Sequence, residues 1–201
     1  MLQILPGGRL IPPKEAALRT TLTAVVLSLA TLTIVLSSAL ASGPPQRTPD
    51  VKAVPLLGTA KISLLQGIKQ VQAKYGPVIE AKFELDDSGA LSLSVYPVTK
   101  GLKTNAEFNV FEEASGPAKA SPWKPSIEVF KDREHLTRSS FDLTIMELSS
   151  IDLATAVQRA LARQPGIAYW AIPTLQGKKP VIGVYVRSSD GKSHHLFVPV
   201  S

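Results

Sequence analysis

The feature that most constrains this chain is an uncharged segment of 23 residues from Thr20 to Ser42. As a helix it would be about 34 Å long, which is enough to cross a hydrocarbon core of about 30 Å. Because every side of that helix would be apolar, it is not predicted to pack with one face on a soluble core. Basic residues precede it at Arg9, Lys14 and Arg19, and such flanks stay on the cytoplasmic side. We therefore predict that residues 43 onward lie outside the cytoplasm.

Two interpretations of residues 1–42 stay open. Ala39-Leu40-Ala41 is a small-x-small site after a basic region and an apolar run, as in a cleaved signal peptide. The long leading arm and the length of the apolar run favour an uncleaved membrane anchor. In both cases we expect the protein in the cell envelope, on its periplasmic or extracellular face, anchored in the membrane if the helix is not cleaved. The proline content of residues 43–56 predicts an extended tether after it.

The composition excludes several kinds of chemistry. The chain has no cysteine, and therefore no disulfide, thiolate nucleophile or cysteine metal site. Its 22 Lys and Arg residues outnumber 16 Asp and Glu residues, but they are scattered, so no nucleic-acid partner is predicted. Nucleophile-elbow, zinc-protease and nucleotide-binding motifs do not occur. We assign no catalytic residue, cofactor or metal ligand, and predict that the protein is not an enzyme.

Two polar pairs could suggest a site but have simpler interpretations. His194 and His195 are adjacent, and neighbouring residues of a strand point to opposite faces, so they are not predicted to bind one metal ion. Asp86 and Asp87 lie in a turn between two alternating segments, where solvated carboxylates are common. Neither pair is predicted to form a catalytic site.

A duplication runs through the folded part at an offset of 89 residues, without a gap for about fifty positions. Ile62 matches Ile151 in this alignment, for example, and Phe108 matches Phe197. Each copy begins with an amphipathic helix and continues with three short alternating strands. We therefore predict an α+β fold with two tandem units, each of one helix packed on a three-stranded antiparallel sheet, after the N-terminal transmembrane or signal helix.

These patterns also predict the boundaries of the domains. Residues 1–42 would form the signal peptide or membrane anchor, 43–56 the tether, 57–112 the first copy, 113–125 a linker, and 126–201 the second copy with extra strands. The predicted helix caps are Ser63 in the first copy and Ser150 or Asp152 in the second.

Strands are predicted from alternating hydrophobicity. In the first copy they are Val78–Leu85, Leu91–Val98 and Glu107–Phe111. Two extra strands are expected before the second helix, Ser126–Phe130 and Phe141–Leu148, around a polar turn at residues 131–139.

Residues 62–96 resemble the PepSY domain, a small α+β module of exported bacterial proteins and of metallopeptidase propeptides. The matching features are Ile62-Ser63-Leu64, the helix that follows, Tyr75-Gly76, the strand from Val78, the turn at Asp86 to Gly89, and Leu93 to Tyr96. The second copy resembles the same module from Ile151, although the turn that usually closes the module is missing from both copies. The resemblance implies a non-catalytic domain that binds or regulates a partner protein outside the cytoplasm, for example a peptidase.

Three aromatic residues are candidate partner contacts, namely Trp123, Tyr96 and Tyr185. Trp123 lies between prolines in the predicted linker, and two interpretations of it stay open, namely contact with a partner and packing over the end of a sheet. The alternative function is a single-span accessory subunit of an integral membrane complex, with Thr20 to Ser42 as its chief contact with the membrane and with other subunits. In that case the segment is retained in the mature protein.

Overall fold

The computed structural model describes residues 47–201, which form three α-helices and seven β-strands. The helices are α1 (Leu64–Tyr75), α2 (Arg133–Glu147) and α3 (Leu153–Arg163). The strands are β1 (Val78–Leu85), β2 (Leu91–Pro97), β3 (Glu112–Pro117), β4 (Ser126–Val129), β5 (Ile167–Gln176), β6 (Lys179–Arg187) and β7 (Ser193–Pro199). Short 3-10 helices cover Val54–Thr59 and Ala106–Phe108.

The predicted membrane segment from Thr20 to Ser42 and the cleavage site after Ala41 lie outside the described residues. Among the helices of residues 47–201, none is both long enough and apolar enough to cross a bilayer.

All seven strands belong to one antiparallel sheet in the order β4-β3-β2-β1-β5-β6-β7. The prediction of two tandem units, each with its own three-stranded sheet, is therefore wrong. Strands β1 and β5 pair with Ala81 opposite Ala171 and Lys82 opposite Trp170. Two separate sheets would each leave one of these strands as an exposed edge, and pairing the two edges satisfies their backbone groups.

The order of one helix followed by three strands nevertheless occurs twice along the chain. Ser63 caps α1 in a reciprocal capping box with Gln66, and Asp152 caps α3 by accepting from the backbone N–H of Thr155. Both caps are at positions predicted from the sequence, because a short polar side chain directly precedes the apolar residues of each helix. The helices contact each other, where Gln72 Nε2 donates to Asp152 Oδ2 at 3.1 Å.

The third strand of the first half lies later than predicted. The alternating pattern predicts this strand over residues 107–111, but Phe108 belongs to a 3-10 helix and is 69% exposed. Strand β3 instead occupies Glu112–Pro117, which is the last residue of the predicted first copy and the first part of the predicted linker. The match between Phe108 and Phe197 fails because Phe197 lies in β7, and the β2–β3 connection is longer than the β6–β7 connection.

Residues 141–148 were predicted to be a strand, and this is wrong because they complete helix α2 and its C-terminal cap. Phe141, Leu143 and Ile145 alternate with polar residues as in a strand, but the buried residues Ser139, Asp142, Leu143 and Met146 recur at the three- and four-residue spacing of a helix. Asp132 caps the helix by accepting from the backbone N–H of His135 at 3.0 Å, so the predicted polar turn is the first half of the helix.

Helices α1 and α3 pack on the same face of the sheet, which we call the helix face. Gly67 of α1 lies against Leu93 and Val95 of β2, so these side chains mark that face. Tyr96, the next residue, points to the opposite face because side chains alternate along a strand. Its ring contacts Phe130, which stacks on His135, and these contacts place the start of α2 on the side opposite α1.

Residues 50–56, part of the predicted tether, pack against the sheet. Asp50 Oδ2 accepts from the backbone N–H of Leu85 at 3.0 Å, and Ala53 is buried in the core. A 3-10 helix then begins at Val54. The chain thus joins the sheet at the C-terminal end of β1.

Candidate binding face

A row of aromatic side chains crosses β5, β6 and β7 on the face opposite α1 and α3. It consists of Trp170, Tyr185, His195 and Phe197, and we call it the aromatic row. The centroid distances are 5.1 Å from Trp170 to Tyr185, 3.9 Å from Tyr185 to His195 and 4.2 Å from His195 to Phe197. The register explains the first three members, since Tyr185 lies opposite both Trp170 and His195.

Exposure rises along the aromatic row from the middle of the sheet towards its edge. Trp170 is buried, Tyr185 and Phe197 are half-buried, and His195 is exposed. Stacked and tilted ring pairs at these distances stabilise a sheet by about 1 kcal/mol each. The outer members also offer an apolar surface with polar edges to a ligand or a partner.

The ring of His195 lies over Gly183 of the neighbouring strand. A methyl group at Gly183 would approach His195 Nε2 to 2.6 Å, closer than a side-chain carbon can come. The absence of a side chain there lets the imidazole lie between Tyr185 and Phe197. Glycine weakens a strand interior, and its presence here has this packing reason.

The outer rings of the aromatic row are uncharged at neutral pH. Partial burial of its ring by the neighbouring rings lowers the pKa of His195 below its ordinary value of 6.5, which favours the neutral imidazole. Burial, and secondarily the nearby Tyr169, raises the pKa of Tyr185. The row therefore presents an uncharged aromatic surface with hydrogen-bonding atoms at its edges.

The buried end of the row is tied to the central strands. Trp170 Nε1 donates to Glu80 Oε1 at 2.7 Å, and both residues are less than a tenth exposed. Beside Glu80 on β1, Lys82 forms an ion pair with Glu84 at 2.6 Å and lies 5.6 Å from the ring centroid of Tyr96. The face opposite α1 is thus aromatic over β5 to β7 and charged over β1.

The three candidate contact residues lie in different places. Trp123 is buried, with its Nε1 donating to the carbonyl of Gly116 at 3.2 Å. Tyr96 is also buried, and burial, followed by the charges of nearby glutamates, raises its pKa well above 10. Tyr185 alone belongs to the aromatic row. These positions leave Tyr185 as the most accessible of the three for a partner.

His194 and His195 contact different groups. His195 belongs to the aromatic row, whereas His194 Nε2 lies 3.1 Å from Ser188 Oγ in the β6–β7 turn. Across residues 47–201, no cluster of three or more histidine, aspartate or glutamate side chains has the geometry to bind a metal ion.

The turn between β6 and β7 brings Ser188, Asp190 and His194 together, a set that resembles the members of a catalytic triad. Ser188 Oγ donates to Asp190 Oδ1 in a short hydrogen bond. A nucleophilic serine must direct its only proton to the histidine base. The hydrogen bonds from Ser188 and Lys192 lower the pKa of Asp190 to about 2, as expected for a solvated turn carboxylate. The geometry fits turn stabilisation rather than catalysis.

Only one member of the aromatic row, Tyr185, is a partner contact predicted from the sequence. The row forms across three strands joined by hairpin turns, so it depends on the register that those turns set and does not show in any single strand. The alternation of His195 with Phe197 shows that these two share a face. A hairpin alignment of β6 on β7 places His195 opposite Tyr185 and Phe197 opposite Gly183.

Comparisons with known proteins give no family assignment. No family model matches the chain, and no curated protein matches it. Among solved structures, one of a candidate lipoprotein from Clostridium difficile 630 is similar at 15% identity and a TM-score of 0.34, over 71% of this chain and 88% of that one. A TM-score this low supports no argument about fold or function.

Proposed function

We propose that this chain is a non-catalytic binding protein of the cell envelope, and that residues 49–201 bind or regulate a partner protein outside the cytoplasm. The aromatic row is the proposed contact surface. Its outer members Tyr185, His195 and Phe197 provide the uncharged aromatic area that is enriched in protein interfaces.

The observation that carries the proposal is the exposure of stacked rings at the edge of the sheet. His195 is exposed although its ring is held between Tyr185 and Phe197, so the surface is ordered before a partner binds. Rings that are already held lose little conformational freedom on binding. Uncharged rings also cost less to desolvate than charged side chains would.

Location outside the cytoplasm is proposed from the sequence of the N-terminus. Thr20 to Ser42 is long and apolar enough to direct export, and the basic residues before it favour an outward orientation of the rest. The resemblance of residues 62–96 to the PepSY domain supports the same kind of role, because that family consists of non-catalytic modules of exported proteins.

Site-specific photo-crosslinking tests the contact surface. The full-length protein is produced in its own cells with benzoylphenylalanine at Phe197, and in a matched variant with the same residue at Phe108. Both positions carry an aromatic side chain, but Phe108 lies in the β2–β3 connection, away from the aromatic row. We expect one defined envelope protein to crosslink from position 197 and not from position 108. Absence of a crosslink from position 197, or equal crosslinking from both, would refute the proposal.

The alternative is a single-span accessory subunit of a membrane complex. The apolar segment from Thr20 to Ser42 favours it, because a retained segment could itself contact other membrane helices. The mass of the native mature protein distinguishes the two. Retention of Met1 to Ala41 supports the subunit, whereas a mature protein that begins at Ser42 excludes it.

A further inference from the structure

The two edges of the sheet differ in how their backbone groups are satisfied. At the β7 edge the carbonyl of Phe197 accepts a hydrogen bond of 3.0 Å from Arg163 of α3, and Pro199 has no N–H to offer. Proteins protect an edge strand from pairing by covering its backbone groups with other residues or by placing a proline in the strand. The β7 edge is therefore poorly suited to pair with another strand.

The β4 edge has free backbone groups whose direction follows from the pairing. The N–H of Phe130 donates to the carbonyl of Phe111 at 3.0 Å, and β4 pairs with β3 in the same register. Hydrogen-bonded residues alternate along an antiparallel strand, so Glu128 points its backbone groups to β3. Ile127 and Val129 then point theirs outwards, where they have no partner within residues 47–201.

The side chains of β4 itself are apolar on one face, where the neighbouring residue opposite Val129 is Glu112 of β3. Ile127 and Val129 are 37% and 44% exposed, high values for aliphatic residues in a strand. Ile127 lies opposite Ala114, which lies opposite Val95, so both aliphatic side chains are on the helix face. A strand added here would place its own aliphatic side chains beside Ile127 and Val129.

On the other face the middle of the edge is acidic. Glu128 lies directly opposite Glu113, and like charges in such a pair repel each other. Glu84 adds a third carboxylate, which is ion-paired with Lys82. Lys124 and Lys131 flank β4 in the sequence, so the three carboxylates lie at its middle and not at its ends. The matching partner residue is therefore a cation opposite Glu128.

A second copy of this chain fits the edge poorly. Pairing β4 with β4 of another copy would bring a second Glu128 to an edge that already holds Glu113 and Glu128. A different segment, with aliphatic side chains on one face and Lys or Arg on the other, fits both faces.

We propose that β4 is a docking edge for an extended segment of a partner protein, in which aliphatic residues alternate with basic ones, and that this segment adds an eighth strand. The inference rests on the proposed function in one respect, that the partner is a protein. Strand addition supplies backbone hydrogen bonds for affinity, while alternate side chains supply specificity.

Binding of defined peptides to the full-length protein tests the docking edge. The probe is a fluorescent peptide, Thr-Val-Lys-Val-Lys-Val-Thr, and its control carries glutamate in place of lysine. We expect the lysine peptide alone to bind, and to slow amide hydrogen exchange at Ile127 and Val129 but not at Phe197 of the β7 edge. Two further versions of the lysine peptide carry N-methyl groups on alternate backbone nitrogens, one version on the odd-numbered residues and the other on the even-numbered ones. Only one of these sets of N–H groups faces β4, so only one of the two methylated peptides should lose binding. Equal binding of both methylated peptides would exclude strand addition.

Two variants of the protein complete the test. Glu128→Lys should weaken the lysine peptide about fivefold and favour the glutamate peptide, because a cross-strand charge pair contributes up to about 1 kcal/mol. Glu107→Lys makes the same change of charge on an exposed 3-10 helix and should alter neither affinity. Ile127→Pro removes an N–H that β3 does not use, so it should abolish binding while the melting temperature changes little.

The outcomes separate this inference from the proposed function. If the lysine peptide fails to bind while position 197 still crosslinks to an envelope protein, the docking edge is refuted and the proposed function stands. A second copy of this chain would be the occupant of the edge if no peptide binds and sedimentation shows a dimer that Glu128→Lys disrupts. That result would refute the inference. If neither peptide binding nor crosslinking is observed, both proposals fail.

Discussion

Trp170 Nε1 donates a hydrogen bond of 2.7 Å to Glu80 Oε1, and this bond joins the two strands that unite the halves of the sheet. Trp170 belongs to β5 and Glu80 to β1, and both side chains are buried. Loss of a hydrogen bond to a buried carboxyl group costs about 1–3 kcal/mol. The junction between the halves therefore depends on a specific polar contact as well as on apolar packing.

Replacement of Trp170 by phenylalanine should lower the free energy of unfolding by about 3 kcal/mol. The variant loses the donor to Glu80 and leaves part of the indole volume empty. Urea unfolding followed by circular dichroism measures the change.

Trp123→Phe is the matched control for Trp170→Phe. Its Nε1 donates to the carbonyl of Gly116, which also accepts a hydrogen bond of 3.0 Å from Ser92 Oγ. That carbonyl keeps a partner in the variant, so we expect a loss about 1 kcal/mol smaller. If the two variants lose the same free energy of unfolding, the hydrogen bond to Glu80 contributes no more to stability than the bond to Gly116.

Replacement of Gly67 in helix α1 by alanine should destabilise the fold, although alanine ordinarily favours helices. Gly67 lies against Leu93 and Val95, and a methyl group there would overlap Leu93 Cδ2. Gly67→Ala gains up to about 1 kcal/mol of helix propensity, but it forces the helix away from β2. We expect a net loss of about 1–3 kcal/mol in the free energy of unfolding.

Gly58→Ala provides the comparison, since nothing lies within 4 Å of a methyl group at that position. Its effect on the unfolding midpoint should be small. A stabilised Gly67→Ala variant would show that α1 can move off the sheet without cost.

The sequence predicted local features well and the arrangement of strands poorly. The Ser63 cap and the bounds of β1 agree with the structure because both depend on neighbouring residues. The pairing of β1 with β5 is not predicted, because the alternation of apolar and polar residues along one strand carries no information about which strand lies beside it. For the same reason Tyr185 was named without the histidine and tryptophan that stack on it.

The cap of α3 should depend on pH. Burial opposes ionisation of Asp152, but hydrogen bonds from Thr155 and Gln72 outweigh it and lower the pKa below the ordinary value of 3.8. A carboxyl group with a lowered pKa stabilises the fold above about pH 4, and this contribution is lost as the pH falls through the folded-state pKa. Asp152→Ala should therefore cost about 1–2 kcal/mol near pH 7 and less near pH 3.

Ser63→Ala, at the corresponding cap of α1, is the control because its hydroxyl does not titrate in this range. Urea unfolding at the two pH values should give the same cost for this variant at each. A constant cost for Asp152→Ala would contradict the assigned role of its charge.

The stacked His195 should make the fold less stable in mild acid. Partial burial of the ring between Tyr185 and Phe197 lowers the pKa of the otherwise exposed His195 in the folded protein, whereas the unfolded chain takes up the proton near pH 6.5. The unfolded state then binds more protons, so stability is retained above about pH 6.5 and falls as the pH drops through the folded-state pKa. His195→Phe keeps a ring over Gly183 but has no proton to bind. We expect this variant to lose less stability than the parent between about pH 7.5 and pH 5 in urea unfolding. An NMR titration of the His195 ring with a midpoint at or above 6.5 would contradict the prediction.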